Sequence, residues 1–383
     1  MRGSLFFLAA GMFTMGCDDY IVAGLLPGLS ASLGTSMAGA AQGITAFNFT
    51  YLVCAPVFAI LLAQKPARQL LVLALVIFAV GNVLTLLSSN LAVYLVSRAI
   101  AGIGAGMYLP IAVAAAAELV EPEAAGRALS MIWGANGAGA VIGVPAGLFL
   151  ADQVGWQATI GLILVLGAIT LLAIAIRQPN LQVAAFPPLD EQLRFLVDRR
   201  VLSITGVTCL TAAGSLGLYA YIAPLQAGML NSADAALTLW NIGGLIGSFG
   251  IGYVADRMGN PRMVMAVILV TLLAAIVSLP SVGTVPILGL LPFLLWGAMG
   301  WAVMTPQQLS LIALKPGHET ALVALNSSAV GLGSVFGPAL GGLALAGGLD
   351  ARHLPYAAGG LILCTLAWQI ALIQPRQPEK EAA

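Results

Sequence analysis

The residues best able to do chemistry in this chain sit where water is scarce. Asp18 and Asp19 are adjacent in MGCDDYIVAGLLP, residues 15–27, with LFFLAAGMF before them and IVAGLLPGL around and after. An ionised carboxylate at mid-membrane depth costs about 2.5–3.5 kcal/mol on insertion scales. Two neighbouring carboxyls titrate as a pair, so such a pair can take up and release a proton as one unit. Adjacent helical residues lie ~100° apart, so at most one of them points straight at a central cavity. The competing reading is structural, with one or both near the membrane interface or paired to a basic residue. Arg98 is the one basic residue within an apolar segment, LVSRAIAGIGAG, 95–106. An intramembrane arginine should face the bundle interior and find an acidic or carbonyl partner. Asp18 and Asp19 are the only acids deep in any apolar segment, so Arg98 is expected to communicate with one of them, directly or through water. The alternative is an arginine that snorkels to the outer end of its helix.

Positioning such groups takes a membrane-spanning scaffold. Of 383 residues, 60% are hydrophobic and only 8% charged, too few charges to cover a soluble protein of this length. The net charge is zero, which gives nucleic-acid binding no electrostatic support. A bilayer core takes ~20 helical residues to cross. We read twelve spans, roughly 5–27, 38–63, 69–88, 91–114, 128–149, 156–176, 201–225, 236–254, 262–280, 284–305, 321–345 and 355–374. The fold class is therefore an all-α membrane protein. The one long polar segment, RQPNLQVAAFPPLDEQLRFLVDRR at 177–200, is the natural linker between a six-helix bundle over 1–176 and a second over 201–383, which ends in a short tail. With the N-terminus cytoplasmic, 13 of the 15 basic residues fall on the cytoplasmic side; the exceptions are Arg98, within a span, and Arg352. That bias places both termini in the cytoplasm. Apolar segments continue along the whole chain, so the first is read as a retained span rather than a signal peptide. The four cysteines are isolated and form neither a disulfide framework nor a metal box. No HExxH, Walker A or GxSxG pattern occurs, so neither an enzyme nor a metal or cofactor is expected.

The chain also repeats itself. GYVADRMGNPR, 252–262, stands between the eighth and ninth spans, and AILLAQKPARQ, 59–69, holds the equivalent place 193 residues earlier. GAVIGVPAG, 139–147, and GSVFGPALGG, 333–342, lie at the same offset when Pro145 is set against Pro338. Two signatures at one offset argue for a duplicated six-helix unit, an architecture in which substrate binds near the midplane between halves. Gly139, Gly143, Pro145 and Gly147 let helices approach closely and bend. They read as a pivot, or as close packing without motion. Tyrosines, tryptophans and amides are scattered along the spans, and a cavity lined by them would suit an amphipathic or lightly polar ligand.

These motifs resemble those of the major facilitator superfamily, and the resemblance covers the whole chain. GYVADRMGNPR is similar to the family's loop signature, Gly-x-x-x-Asp-Arg-x-Gly-x-x-Arg. LVSRAIAGIGAG, with Arg98, Gly102, Gly104 and Gly106, resembles the fourth-helix signature. GAVIGVPAG resembles the fifth-helix signature of proton-coupled antiporters. CDDYIVAGLLP resembles the first helix of the bacterial drug, sugar and nucleoside efflux branch. The resemblance implies two six-helix pseudo-repeats in a bacterial-type inner membrane, exporting a small molecule by alternating access. The proton gradient would be the energy source, with no cofactor. One chain holds both halves, so a monomer suffices. The resemblance further implies proton coupling at Asp18, Asp19 and Arg98, and a cytoplasmic gate at Gly252, Asp256, Arg257, Gly259 and Arg262. It places the pivot at Gly139, Gly143, Pro145 and Gly147, and puts Trp133, Asn136, Tyr219 and Asn241 on cavity-lining spans. The first-half loop departs from the pattern: Ala59, Ala63 and Pro66 replace Gly252, Asp256 and Gly259, and only Lys65 and Arg68 keep positive charge there. The rival function is a facilitator or proton symporter that imports a small polar metabolite. A non-transporting sensor or scaffold would need a soluble signalling domain, for which this chain has no room.

Overall fold

The computed structural model describes residues 2–61, 65–177, 179, 194–219, 221–222, 225, 233–282, 285 and 287–373, and twelve helical rods run through these described residues. They are α1 (Arg2–Ser32), α2 (Met37–Leu61), α3 (Ala67–Leu86), α4 (Leu91–Glu118), α5 (Ala125–Ala138, continued as Val144–Val154), α6 (Trp156–Arg177), α7 (Arg199–Tyr219), α8 (Ala233–Met258), α9 (Pro261–Val282), α10 (Leu291–Ala302, continued as Met304–Leu314), α11 (Glu319–Ala346) and α12 (Leu354–Ile373). No strand occurs among the described residues. Eleven of the rods are long and apolar enough to cross a membrane, and α2, 25 residues long, lies between the first two of them. Ala63, most of the 177–200 linker and the tail from 374 onward fall outside the described residues.

Local chemistry sets the helix starts. Asn90, Asp198, Asn260 and Asp350 stand just before α4, α7, α9 and the short turn into α12. Their side-chain oxygens accept the backbone N–H of Val93 (3.0 Å), Arg200 (2.9 Å), Arg262 (3.2 Å) and Arg352 (2.9 Å), which satisfies donors that a helix start leaves open. Several rods outrun their sequence-read bounds. α1 continues past Pro27, where the Ser30 hydroxyl donates to the Pro27 carbonyl (3.0 Å). α10 runs to Leu314, so Gln307 and Gln308 are buried within it. α8 runs to Met258, so most of the GYVADRMGNPR loop signature is helix.

Large apolar side chains are exposed along one stripe of several rods: Val165, Ile169, Leu172 and Ile176 on α6, and Leu73, Val76, Val80, Val83 and Leu87 on and just past α3. Stripes at this spacing face lipid rather than water.

The chain divides into two compact units, Met1–Phe195 with Ile312–Ser327, and Leu196–Leu311 with Ser328–Ala383. Residues 312–327 thus group with the first unit, whereas a split at the linker alone puts them in the second. In the first unit α4 packs on α2 and α3, α3 on α6, and α1 on α5 and α6. In the second, α10 packs on α8 and α9, α9 on α12, and α7 on α12. Four of these five pairings recur, in keeping with a duplicated six-helix unit.

The repeat is not a single offset. Gly139 of α5 abuts the Phe13 carbonyl and Cys17 amide of α1; Gly333 of α11 abuts the Cys209 carbonyl and Ala213 amide of α7. These contacts align Gly139 with Gly333, 194 residues on, while Pro145 and Pro338 are 193 apart. The first half therefore has one extra residue between glycine and proline. A π turn at Gly139–Gly143 absorbs it, with the Val144 N–H reaching the Gly139 carbonyl five residues back. Pro145 supplies no N–H of its own to hold a regular ladder there. In the second half, α11 passes through Pro338 as a continuous helix, and the Tyr221 hydroxyl donates to the Pro338 carbonyl (2.6 Å). Removing that hydroxyl with Tyr221→Phe is expected to cost about 1 kcal/mol, read as a lowered melting temperature in detergent.

Candidate functional site

Asp18 is the seventeenth of the 31 residues of α1, a helix ~46 Å long, and so lies at its middle. Arg98 is the eighth residue of α4. The two meet as a two-pronged pair: Arg98 Nη1 donates to Asp18 Oδ1 (3.1 Å), and Nη2 stands 3.0 Å from Oδ2. Their side chains are 1% and 0% exposed, which rules out a snorkelling arginine. Taking either charge from water costs several kcal/mol, recovered only when geometry and partners are good. Here one prong of the guanidinium fork is a hydrogen bond and the other an ion-pair contact. The ring of Phe47, on α2, adds a second contact, its centroid 4.7 Å from Arg98 Cζ. A cation over an aromatic face is attracted to the ring quadrupole.

Small residues let these helices come close enough. Gly102 and Gly106 of α4 abut the Phe47 and Tyr51 carbonyls of α2, and Gly104 abuts Phe78 and Ala74 of α3. Thr50 donates its hydroxyl to the Ala99 carbonyl (2.8 Å), tying α2 to α4 beside the pair. On α1, Gly16 abuts the Asn136 carbonyl and Gly11 makes room for the Tyr108 ring, whose hydroxyl donates to the Leu8 carbonyl (3.0 Å). The antiparallel α1 and α4 are thus tied at two levels, each ten residues apart along its helix, or ~15 Å. Asp19, the next residue round α1, is half-buried and makes no hydrogen bond or ion pair among the described residues. Of the two aspartates, Asp18 is the one that meets Arg98.

Among the described residues, the second half carries no counterpart of this pair. Gly297 of α10 abuts the Trp240 carbonyl as Gly102 abuts that of Phe47. Four residues before Gly297 stands Phe293, where Arg98 stands before Gly102. Gly214 follows Ala213 where Asp18 follows Cys17. Aromatic packing fills the place: Trp240 lies 4.3 Å from Tyr219 and 5.4 Å from Trp301, centroid to centroid, and Trp296 Nε1 donates to Ser215 Oγ (2.9 Å).

The other sequence-read residues are spread over both halves. Gly139, Gly143 and Gly147 line the face of α5 that meets α1, the last also touching Thr159, while Pro145 is exposed. Trp133 and Asn136 are half-buried on α5, and Asn136 Nδ2 lies 3.5 Å from the Met12 carbonyl. Asn241 on α8 donates to its own helix at Leu237 (2.9 Å). Gly252, Asp256 and Arg257 lie within α8, buried, half-buried and exposed in turn. Gly259 takes φ +62°, a left-handed conformation that favours glycine, and so ends that helix. Arg262 donates Nη1 to the Leu372 carbonyl (3.0 Å), and its own carbonyl accepts from Gln369 Nε2 (2.9 Å), which joins α9 to the end of α12.

One group in contact with the pair escaped the sequence reading. Phe47 is one of 13 phenylalanines, and no spacing singles it out. Gln307, one of the amides read along the spans, donates Nε2 to the Ile204 carbonyl (3.0 Å) and Thr208 Oγ1 (3.1 Å).

Comparison with known proteins agrees with this architecture. A family model described as Major Facilitator Superfamily matches residues 8–324. The MFS-type transporter YbcL of Bacillus subtilis (strain 168) is 29% identical over 347 residues, covering 88% of each chain. A chloramphenicol resistance protein of Streptomyces lividans is 26% identical, covering 94% of this chain and 93% of its own. The crystal structure of the E. coli fucose:proton symporter FucP superposes with a TM-score of 0.77 at 16% identity, covering 95% of this chain and 98% of its own. Helices, repeat and family match agree: this protein belongs to the major facilitator superfamily and is a multi-pass membrane transporter rather than an enzyme.

Proposed function

We propose that this transporter exports a small amphipathic or lightly polar molecule in exchange for protons, with Asp18 as the proton-accepting group and Arg98 as its partner. The buried Asp18–Arg98 pair in the middle of α1 carries the reading. A proton on Asp18 removes one charge of the pair and leaves Arg98 to Phe47 alone, so the contact between α1 and α4 weakens. A proton thereby favours one arrangement of the helices over another, the differential affinity that coupling requires. Asp19, half-buried alongside, adds a second titratable carboxyl to the same turn. The pivot is assigned to Gly139, Gly143, Pro145 and Gly147, where α5 meets α1. The cytoplasmic gate is assigned to Gly252, Asp256, Arg257, Gly259 and Arg262, and substrate contacts to Trp133, Asn136, Tyr219 and Asn241. Both termini face the cytoplasm in this proposal, following the distribution of Lys and Arg.

The similarity to a chloramphenicol resistance protein makes chloramphenicol the first probe. Everted membrane vesicles containing the protein are energised and their internal acidity followed with a pH dye. Chloramphenicol, or a member of a panel of amphipathic compounds, is expected to discharge the gradient in these vesicles and not in vesicles from cells lacking the protein. Asp18→Asn combined with Asp19→Asn should abolish the discharge. Full discharge by the double variant contradicts the assigned role, and uptake driven by an inward proton gradient would make the protein a symporter.

A further inference from the structure

The ion pair has polar neighbours that it leaves unused. Arg98 Nε and Tyr94 Oη are buried and have no hydrogen-bond partner among the described residues, and neither has Asp18 Oδ2, which stands 3.0 Å from Arg98 Nη2 as an ion pair. Tyr94 is 0% exposed. It precedes Arg98 by four residues on α4, so both lie on one face of that helix. Its ring sits against Gly43 of α2, and Arg98 sits over Phe47, four residues further along α2. The two contacts are successive turns of one α2–α4 seam. Helical side chains lean toward the helix N-terminus, so Tyr94 Oη lies on the side of the pair toward the start of α4. On the other side, Gly102 and Gly106 bring the α4 backbone against the Phe47 and Tyr51 carbonyls. The titratable groups around this place are Asp18 and Asp19 from α1, Tyr51 from α2 and Tyr94 from α4 itself, with Arg98 the fixed charge.

We propose that Tyr94 Oη, Arg98 Nε and Asp18 Oδ2 together hold a buried water, and that Tyr94 passes protons through it to Asp18 from the end of the bundle where α4 begins. This rests on the coupling role proposed above for Asp18. The site suits a water: it offers one obligate donor in Arg98 Nε, one acceptor in Asp18 Oδ2 and one group of both kinds in Tyr94 Oη, within the two to four partners a buried water takes. In the transfer, a hydronium ion from the outer solution gives a proton to Tyr94 Oη and is left as water, while Tyr94 Oη gives its own proton to the buried water. The water gives one to Asp18 Oδ2, so the carboxylate gains one proton while tyrosine and water end unchanged. In the orientation proposed above, that end of α4 faces outside, the side from which an exporter driven by protons must load.

Tyr94→Phe tests this, because it keeps the ring against Gly43 and removes only the hydroxyl. The full-length protein is reconstituted in phosphatidylcholine–phosphatidylglycerol vesicles and given a sudden drop in pH. The infrared band of a protonated carboxyl is then followed in time and assigned to Asp18 by its loss in Asp18→Asn. In Tyr94→Phe the band is expected to rise about 10²-fold more slowly, the lower end of what a positioned proton-transfer group contributes, to the same final height and with an unchanged melting temperature. An unchanged rate in Tyr94→Phe overturns the role of Tyr94 while leaving the coupling reading intact. A band that persists in Asp18→Asn overturns the coupling reading itself.

Discussion

Replacing Arg98 by methionine is expected to cost about 3–5 kcal/mol of stability, because it leaves a carboxylate buried without its counter-charge. Methionine fills much of the space of the arginine stem and can still lie on Phe47, so the loss reports charge more than volume. The companion double variant, Asp18→Asn with Arg98→Met, is expected to recover most of that cost, since a buried pair replaced as a whole is often neutral. Melting in detergent for the two single variants and the double one gives the coupling energy directly. If the double variant falls by the sum of the two single variants, the pair contributes nothing as a pair, and its place on the α1–α4 contact is incidental to stability.

The second large effect is steric. Gly102→Leu is expected to destabilise by about 3 kcal/mol, at the top of the range for overpacking. Its Cβ would run into the Phe47 carbonyl and Thr50 Oγ1, and a backbone carbonyl within α2 cannot swing aside. The displacement would reach Arg98 one turn away, so proton coupling should fall along with the melting temperature. Gly161→Ala on α6 is the control, because nothing lies within 4 Å of the added Cβ. It is expected to be neutral or to stabilise by up to ~1 kcal/mol through helix propensity. A Gly102→Leu protein that melts like wild type would show that α2 and α4 do not meet as described.

The pairing of α1 with Arg98 was legible in the sequence for a simple reason. Charges in an apolar medium must find each other, and only three such charges lie deep within apolar segments. Which aspartate pairs was not legible, because 100° of rotation separates them and the rotation of α1 is set elsewhere. Gly139 on the Phe13 and Cys17 backbone, and Gly16 on the Asn136 carbonyl, fix it from α5. The number of spans and the six-helix repeat were legible from apolar runs and two spaced signatures. The one-residue slip within the repeat was hidden, because it is absorbed by a π turn rather than by a loop. Phe47 and Tyr94 were invisible for the opposite reason to Asp18. An aromatic residue in an apolar helix is unremarkable until a guanidinium lies over its face or its hydroxyl is buried without a partner.

The asymmetry of the halves bears on mechanism. Equivalent backbone contacts place Arg98 and Asp18 in the first half where the second has Phe293 and Gly214. Under the proposed mechanism, charge coupling belongs to the first half, and the aromatic cluster around Trp240 makes the second half a packed apolar counterpart.

Whether Asp18 carries the proton is decided by comparing Asp18→Asn and Asp19→Asn separately. Purified protein is reconstituted in vesicles holding a pH dye, and proton movement is measured as a gradient of a transported compound is applied. Asp18→Asn is expected to abolish the proton signal, and Asp19→Asn to retain it. A full proton signal from Asp18→Asn would contradict coupling through the Asp18–Arg98 pair.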